Sequence, residues 1–240
     1  MISVCMASYN GEKFIKEQIN SILEQLSEND ELIISDDGST DTTCMIVEEY
    51  QDQRIKLIHN HNHHGYTANF YNALKVAKGD YIFLSDQDDV WDKDKVNIVL
   101  EYLQNYDFVH TNAIITDSHL NPTCYSRNDF YNVKSGFLNN LLRSRYLGCC
   151  MAFRKEVLQS IFPVPTYTNR YPHDLWIALI ASKYFKSVLI KEPLIFYRRH
   201  ENNSSDGGKG MTGGLFLLLK KICIRFYYFY YVFKQKEYIV

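Results

Sequence analysis

The chain has 240 residues, 46% hydrophobic and 22% charged, with a formal net charge of −2. That is enough chain to bury one sizeable core, and the near-neutral balance gives no electrostatic case for a nucleic-acid partner. Six scattered cysteines, with Cys149 and Cys150 adjacent, suit neither a zinc spacing nor a usual disulfide and read as reduced thiols of a cytoplasmic protein.

The opening MISVCMASYNGE lacks a basic segment followed by an apolar signal core, so nothing in it points to export. Residues 2–7 are a short apolar strand ending at the turn signal Ser8-Tyr9-Asn10-Gly11. Phe14, Ile15, Ile19, Ile22, Leu23 and Leu26 recur at helical spacing. Residues 32–35 form a second strand that runs into Asp36-Asp37-Gly38-Ser39, and a helix start follows at 39–41. A third strand at 55–58 leads through a polar loop to a helix over 67–77. His59, His61, His63 and His64 in that loop read as solvated rather than as a metal tract.

The fourth strand, Tyr81-Ile82-Phe83-Leu84, passes abruptly into Ser85-Asp86-Gln87-Asp88-Asp89, with Trp91 beyond and a helix from about Asp94. A continuous β-favouring run reads as a strand buried on both faces. Three carboxylates at its end repel one another unless a cation or donor-rich ligand neutralises them, and oxygen clusters suit Mg2+ or Mn2+. A solvated acidic turn capping the next helix is the plainer alternative. Repeated strand–helix units imply an α/β fold, a mostly parallel sheet flanked by helices, whose ligands bind beyond the carboxyl ends of the strands. No strand read here runs directly into a G-x-G-x-x-G, and no G-x-x-x-x-G-K-[ST] occurs, so a nucleotide would need its phosphates neutralised by metal.

The second half is less regular. Residues 107–115 read as a strand, 136–142 as a helix, 148–153 as a small-residue strand and 155–161 as a helix, with a loop marked by Pro163 and Pro165. His173-Asp174-Leu175-Trp176 opens a helix carrying Trp176, Leu179 and Ile180 on one side. Asp174 is a favourable acid against the helix dipole or a general base facing the cleft, and spacing leaves both open. A strand at 194–197 precedes Arg198-Arg199-His200 and a Gly/Asn/Ser-rich stretch at 201–214, which is a flexible loop closing on a phosphate ligand or a linker. Residues 215–233 tempt a membrane-spanning assignment, but Lys220, Lys221 and Arg225 interrupt them. The pattern suits an amphipathic helix at a membrane surface, with packing on the domain or a second subunit as the alternative. Aromatic content of 15%, with 19 tyrosines, suits sugar stacking as well as core packing.

Five segments, SVCMASYNGE, LIISDDGSTDTT, AKGDYIFLSDQDDVW, HDLW and YRRH, occur in the order found in a known family. Through about His200 the chain resembles the inverting glycosyltransferases of family 2, with the GT-A (Rossmann-like) fold, and within them rhamnosyltransferase-like enzymes of bacterial cell-surface polysaccharide synthesis. The resemblance implies a GT-A domain over 1–200, with a nucleotide-binding half at 1–106 and an acceptor half at 107–200. A loop at 201–214 and a membrane-associating tail at 215–240 complete the expected organisation. It implies that Ala7 and Tyr9 border the nucleotide base, that Asp37 accepts from the base, and that Asp36 supports that site. Asp86 and Asp88 stand as the D-x-D motif. Asp88 binds the metal, Asp86 lies near the ribose and metal, and His200 reaches the diphosphate or metal. Asp174 matches the catalytic base, and Gly148, Cys149 and Trp176 match the donor and acceptor pocket. Asp89 becomes a structural acid near Trp91.

The implied reaction moves one sugar from a nucleoside-diphosphate sugar to a saccharide or lipid-linked saccharide, at the inner face of the plasma membrane. No Q-x-x-R-W follows Asp174, which argues against a processive synthase. Two alternatives stand beside it. A sugar-phosphate nucleotidyltransferase would release pyrophosphate, and a non-catalytic nucleotide-sugar-binding module would bind without turnover.

Overall fold

The computed structural model describes residues 1–61, 64–165, 172–201 and 215–239, with backbone only at 215–221. Its first half alternates as expected: β1 (Ile2–Ser8), α1 (Ile15–Leu23), β2 (Glu31–Asp36), α2 (Thr43–Glu48), β3 (Ile55–His59), α3 (Tyr66–Val76) and β4 (Tyr81–Asp86). There follow β5 (Val90–Trp91), α4 (Lys95–Leu103), β6 (Phe108–Thr116), β7 (Pro122–Cys124), α5 (Arg127–Phe130) and α6 (Phe137–Arg143). The chain continues through β8 (Met151–Arg154), α7 (Lys155–Ile161), α8 (His173–Tyr184), β9 (Ser187–Arg198) and α9 (Leu215–Lys234).

The strands form one sheet in the order β3-β2-β1-β4-β8-β6-β9-β5, with β7 attached to β6. β1 to β4 run parallel, as do β6 and β9, whereas β8 lies antiparallel between β4 and β6. Period-two alternation sends successive side chains to opposite layers. Val4 and Met6 pack in one core with Ile15, Ile19 and Ile22 of α1, while Cys5 joins Phe70 and Leu74 of α3 in the other. Each of those α1 isoleucines is fully buried, which contributes about 1.5–3 kcal/mol apiece. At Gly79 a Cβ would stand 2.5 Å from the Ser3 backbone nitrogen, so only glycine lets the chain enter β4 this close to β1.

The second half departs from the sequence reading in two places. Residues 148–150 are a 3₁₀ turn, and the expected strand begins at Met151. The chain reaches this turn from α6, and β8 then enters the sheet antiparallel between two parallel groups. β9 is three times the expected length, because Lys191-Glu192-Pro193 break the apolar alternation at a point where its register with β6 shifts. Residues 202–214 of the expected loop, and His63, lie outside the described residues.

Asn69 of α3 ties two strand ends together. Its Nδ2 donates to the Ser8 carbonyl at 3.0 Å and its Oδ1 accepts from Ser35 Oγ at 2.6 Å, all in buried surroundings. Asn69→Ala strands both partners and is expected to lower unfolding free energy by about 1–3 kcal/mol in urea titrations. A loss within error of zero would show that the link is dispensable.

Candidate active site

Parallel pairing brings three polar turns to one edge. Ser8 pairs with Asp36 and Ala7 with Asp86, so β1, β2 and β4 end side by side. Gln87 clamps two of these ends: its Oε1 accepts from the Tyr9 N–H at 2.9 Å and its Nε2 donates to the Tyr9 carbonyl at 2.8 Å. The Tyr9 ring is left 55% exposed above the edge. Asp36 is buried and shapes its own turn, accepting from the Gly38 and Ser39 N–H groups at 3.0 and 2.8 Å and from Ser8 Oγ at 3.2 Å. Asp37 accepts from Asn60 Nδ2 at 2.8 Å and from the Gly65 N–H at 2.7 Å. His64 Nδ1 also lies 3.3 Å from Asp37 Oδ1, so Oδ2, bonded to the Gly65 N–H, is the oxygen that keeps a second lone pair. Cys44 and His59 approach Asp36, a neighbourhood the sequence does not reveal, but both Asp36 oxygens are engaged by its turn.

β4 runs into Asp88, whose Oδ2 lies 2.8 Å from His200 Nε2 although 112 residues separate them. Arg198 makes this pairing possible. It is 3% exposed, its backbone N–H donates to Asp89 Oδ1 at 3.0 Å, and its Nε donates to the Asp88 carbonyl at 2.8 Å. Nη1 donates to the Ser118 carbonyl at 2.8 Å, Nη2 pairs with Glu17, and the guanidinium lies 4.5 Å from the Phe14 ring centre. The His200 ring rests on the same Phe14 at 4.7 Å. Arg198 is thus spent on structure, and His200 brings its imidazole to the Asp88 carboxylate. A cavity of about 570 Å³ lies beyond His200, lined in part by Lys13, Glu17, His119 and Glu201.

Asp86 and Asp89 point elsewhere, into a buried group with Cys149. Burial, then repulsion from Asp88, pushes the Asp86 carboxyl up to about 7. Burial raises Asp89 well above the carboxylate range, with repulsion from Asp88 and Asp86 added, and its Oδ2 has no hydrogen-bond partner among the described residues. Lys95, which sequence reasoning passed over, is buried beneath them. Its Nζ donates to the Cys149 carbonyl at 3.1 Å, lies 3.9 Å from the Trp91 ring centre, and burial pulls its pKa down to about 8. No sequence signal marks it, because a lysine opening a helix is usually solvated.

This donor set fits a hard divalent cation. Two ligand atoms in neighbouring positions of an octahedron, each about 2.1 Å from the ion, stand about 3 Å apart. The Asp88–His200 separation matches that spacing. The like-charged carboxylates behind it are the arrangement an added cation relieves. Of the three expected ligands, the structure joins Asp88 to His200 and groups Asp86 with Asp89 and Cys149 instead.

Asp174 sits in the first turn of α8 and its Oδ1 accepts from the Leu175 N–H at 2.6 Å. Burial raises its carboxyl to about 6, while the Arg127 guanidinium pulls it down. Preceding it, His173 is buried, stacked on Phe70 at 4.0 Å, and seated against Gly148, where a Cβ would stand 2.3 Å from Nε2. Gly148 thereby lets the turn approach the start of α8. Trp176, expected at the donor and acceptor pocket, is fully buried in the core, its Nε1 donating to the Ile161 carbonyl at 3.0 Å. One turn beyond Trp176, the α8 interior is apolar all round, so the indole anchors the helix.

The family model described as Glycosyl transferase family 2 matches residues 3–162. The dTDP-rhamnosyl transferase RfbG of Shigella flexneri is 33% identical over 222 residues, covering 82% of this chain and 72% of its own length. The UDP-Glc:alpha-D-GlcNAc-diphosphoundecaprenol beta-1,3-glucosyltransferase WfgD of Escherichia coli is 27% identical over 197 residues, covering 78% of this chain and 73% of its own. Solved structures share the fold at TM-scores of 0.60 to 0.66 and 18–22% identity. Among them is the mannosyltransferase PcManGT of Pyrobaculum calidifontis in complex with GDP-Man and Mn2+, at TM-score 0.60 and 20% identity. That alignment covers 81% of this chain and 56% of the solved one.

Asp88→Asn and His200→Ala are each expected to weaken Mn2+ binding about tenfold or more, read by calorimetric titration of Mn2+ alone. Unchanged Mn2+ affinity in both variants would move the metal away from this pair.

Proposed function

The chain belongs to glycosyl transferase family 2 and is a glycosyltransferase of GT-A fold, and from that premise we propose that it transfers a single sugar from a nucleoside-diphosphate sugar, with inversion, to a saccharide or lipid-linked saccharide of a bacterial cell-surface polysaccharide. The observation that carries this reading is the nearness of two acidic groups. Asp174, at the start of α8, lies close enough to the β4 end for its charge to contribute to raising the Asp86 carboxyl, and the Asp88–His200 pair stands at that same end. The WfgD relative is named for a lipid-diphosphate acceptor, and the RfbG relative supports rhamnose as the donor sugar.

In the proposed mechanism Tyr9 offers its exposed ring to the base, and Asp37 accepts from the base with its remaining lone pair. A divalent cation held by Asp88 and His200, with Asp86 beside it, would supply positive charge against the leaving diphosphate. Asp174 accepts the proton of the acceptor hydroxyl as that oxygen attacks the anomeric carbon, and the nucleoside diphosphate departs from the opposite face. One carboxylate suffices, unlike the paired carboxylates of glycosidases. Gly148 and Cys149 position the turn that faces this centre. Family membership sets aside the nucleotidyltransferase and non-catalytic alternatives.

The pH profile tests the base. A carboxyl at about 6 is protonated below that pH, so kcat/KM should fall roughly tenfold per unit under pH 6 and level off above it. Asp174→Asn should cut nucleoside-diphosphate release about 10²–10⁴-fold at pH 7.5. Full activity in that variant would remove Asp174 from the chemistry.

We further propose that α9 rests on a membrane surface. Among the described residues no helix is long and apolar enough to cross a membrane. One face of α9 is docked: Tyr228 and Val232 are buried, and Tyr184 Oη donates to the Val232 carbonyl at 2.8 Å. Of the expected basic pair, Arg225 is half-buried, and the side chain of Lys221 lies outside the described residues. The outer face shows Phe226, Phe229, Tyr230 and Phe233, beside exposed Leu138 and Leu142 of α6 and with Lys183 over the Phe233 ring. Such an aromatic face with cations at its rim suits an anionic lipid interface. Phe226→Ser with Tyr230→Ser leaves the docked face intact and should abolish flotation with phosphatidylglycerol vesicles. Equal flotation of variant and parent would reject the membrane proposal.

A further inference from the structure

Buried polar atoms without partners gather on one side of Asp174. Arg127 opens α5 at 7% exposure, yet its Nη1 has no hydrogen-bond partner among the described residues. Its guanidinium lies 5.1 Å from the Tyr131 ring centre. Asn128 Oδ1, Thr111 Oγ1, His110 Nδ1 and both ring nitrogens of His173 are likewise unpartnered among those residues. Native interiors leave few such atoms, and a buried guanidinium without an anion is strongly unfavourable.

A continuous line of contacts makes these atoms one locale. Asn112 of β6 donates to Ser126 Oγ at 2.9 Å and accepts from the Asn128 N–H at 2.9 Å, while Asn128 Nδ2 donates to the Thr111 carbonyl at 3.3 Å. These bonds pin α5 to the strand and turn Arg127 inward. His110 accepts from the Leu147 N–H at 3.0 Å, the next residue, Gly148, abuts His173, and Asp174 follows. Arg127 is close enough to pull down the carboxyl of Asp174, and no ion pair to Arg127 forms among the described residues.

The leaving diphosphate meets its charge at Asp88 and His200. Arg127 lies within electrostatic reach of Asp174, the group proposed to touch the acceptor hydroxyl. An anion there therefore belongs to the acceptor. A planar guanidinium engages phosphate oxygens through two parallel N–H bonds, and the nearby imidazoles and amide add neutral polar atoms. We infer that Arg127 binds a phosphate ester borne by the acceptor sugar, so that this pocket selects sugar phosphates or sugar diphosphates over neutral glycosides. The inference rests on the proposed assignment of Asp174 to the acceptor side.

Calorimetric binding to the full chain tests it without requiring turnover. The probes are N-acetylglucosamine joined through an α-diphosphate to a dodecyl chain, N-acetylglucosamine 1-phosphate, and the neutral dodecyl glycoside. The parent chain should bind at least one phosphorylated probe about tenfold or more tightly than the neutral one. Arg127→Met should erase that gap, and Arg127→Lys, which keeps the charge but loses the fork, should retain part of it. A gap for both phosphorylated probes assigns the pocket to the phosphate on the sugar, and a gap for the lipid diphosphate alone assigns it to the second phosphate. A gap that survives Arg127→Met, or a parent chain that does not discriminate or binds no probe, overturns the inference. If Arg127→Met fails to show a native thermal transition, the Arg127→Lys gap decides. Loss of the gap on Arg127→Met without sugar transfer from any donor would uphold the pocket and count against the functional reading instead.

Discussion

The site depends on a single buried guanidinium. Arg198 joins the end of the last sheet strand to the acidic turn after β4, to Ser118 and to Glu17, which is 181 residues away in sequence. Every polar arm is engaged, and Phe14 covers its face. Together with the β5–β9 pairing, it holds the Asp88 turn against the strand that delivers His200. The imidazole two residues later inherits its position from this staple and from the same Phe14 ring. What reads in sequence as a cluster of phosphate-binding cations therefore divides its labour: one residue builds the site and another faces it.

Around that staple the sheet edge concentrates charge that a protein without ligands would avoid. Asp86 and Asp89 are pushed up by burial and by mutual repulsion with Asp88, while Lys95 below them is pulled down by burial. Burial also raises Asp174. Such desolvated groups are costly to fold and are typical of sites whose ligands bring compensating charge. Anion and cation are also segregated. On the proposed reading the carboxylates at the β4 end would take a cation, and Arg127 at the α5 end an anion.

Much of the fold was legible because its first half obeys local rules. Apolar runs of four to seven residues alternate with helical periodicity, and each run ends in a polar cluster, so parallel topology follows and the clusters must converge. Asp36, Asp37, Asp86 and Asp88 could be found from that logic alone. The second half resists it for physical reasons. β9 contains charged residues and a proline where β6 bulges past it, so alternation fails within a genuine strand. Trp176 shares a four-residue motif with Asp174, yet helical positions two apart face different ways, and the indole faces the core. Lys95 and Arg127 carry no signal because their burial is created by neighbours distant in sequence: Cys149 for the lysine, and Asn112 through Ser126 and Asn128 for the arginine.

The helix that carries Asp174 also explains why the C-terminal segment belongs to the working unit. α8 is apolar on all sides and so must be covered on all sides. α6, α7 and α3 cover part of it, and α9 covers part of the rest, with Tyr228 near the Trp176 indole at 6.3 Å and the Val232 carbonyl accepting from Tyr184. A helix packed against the catalytic helix on one face and exposing aromatics on the other couples the two faces mechanically. If the outer face rests on lipid, the inner face fixes the height of Asp174 above the bilayer. An acceptor whose sugar is tethered close to the lipid through phosphates would then meet the base within electrostatic reach of Arg127.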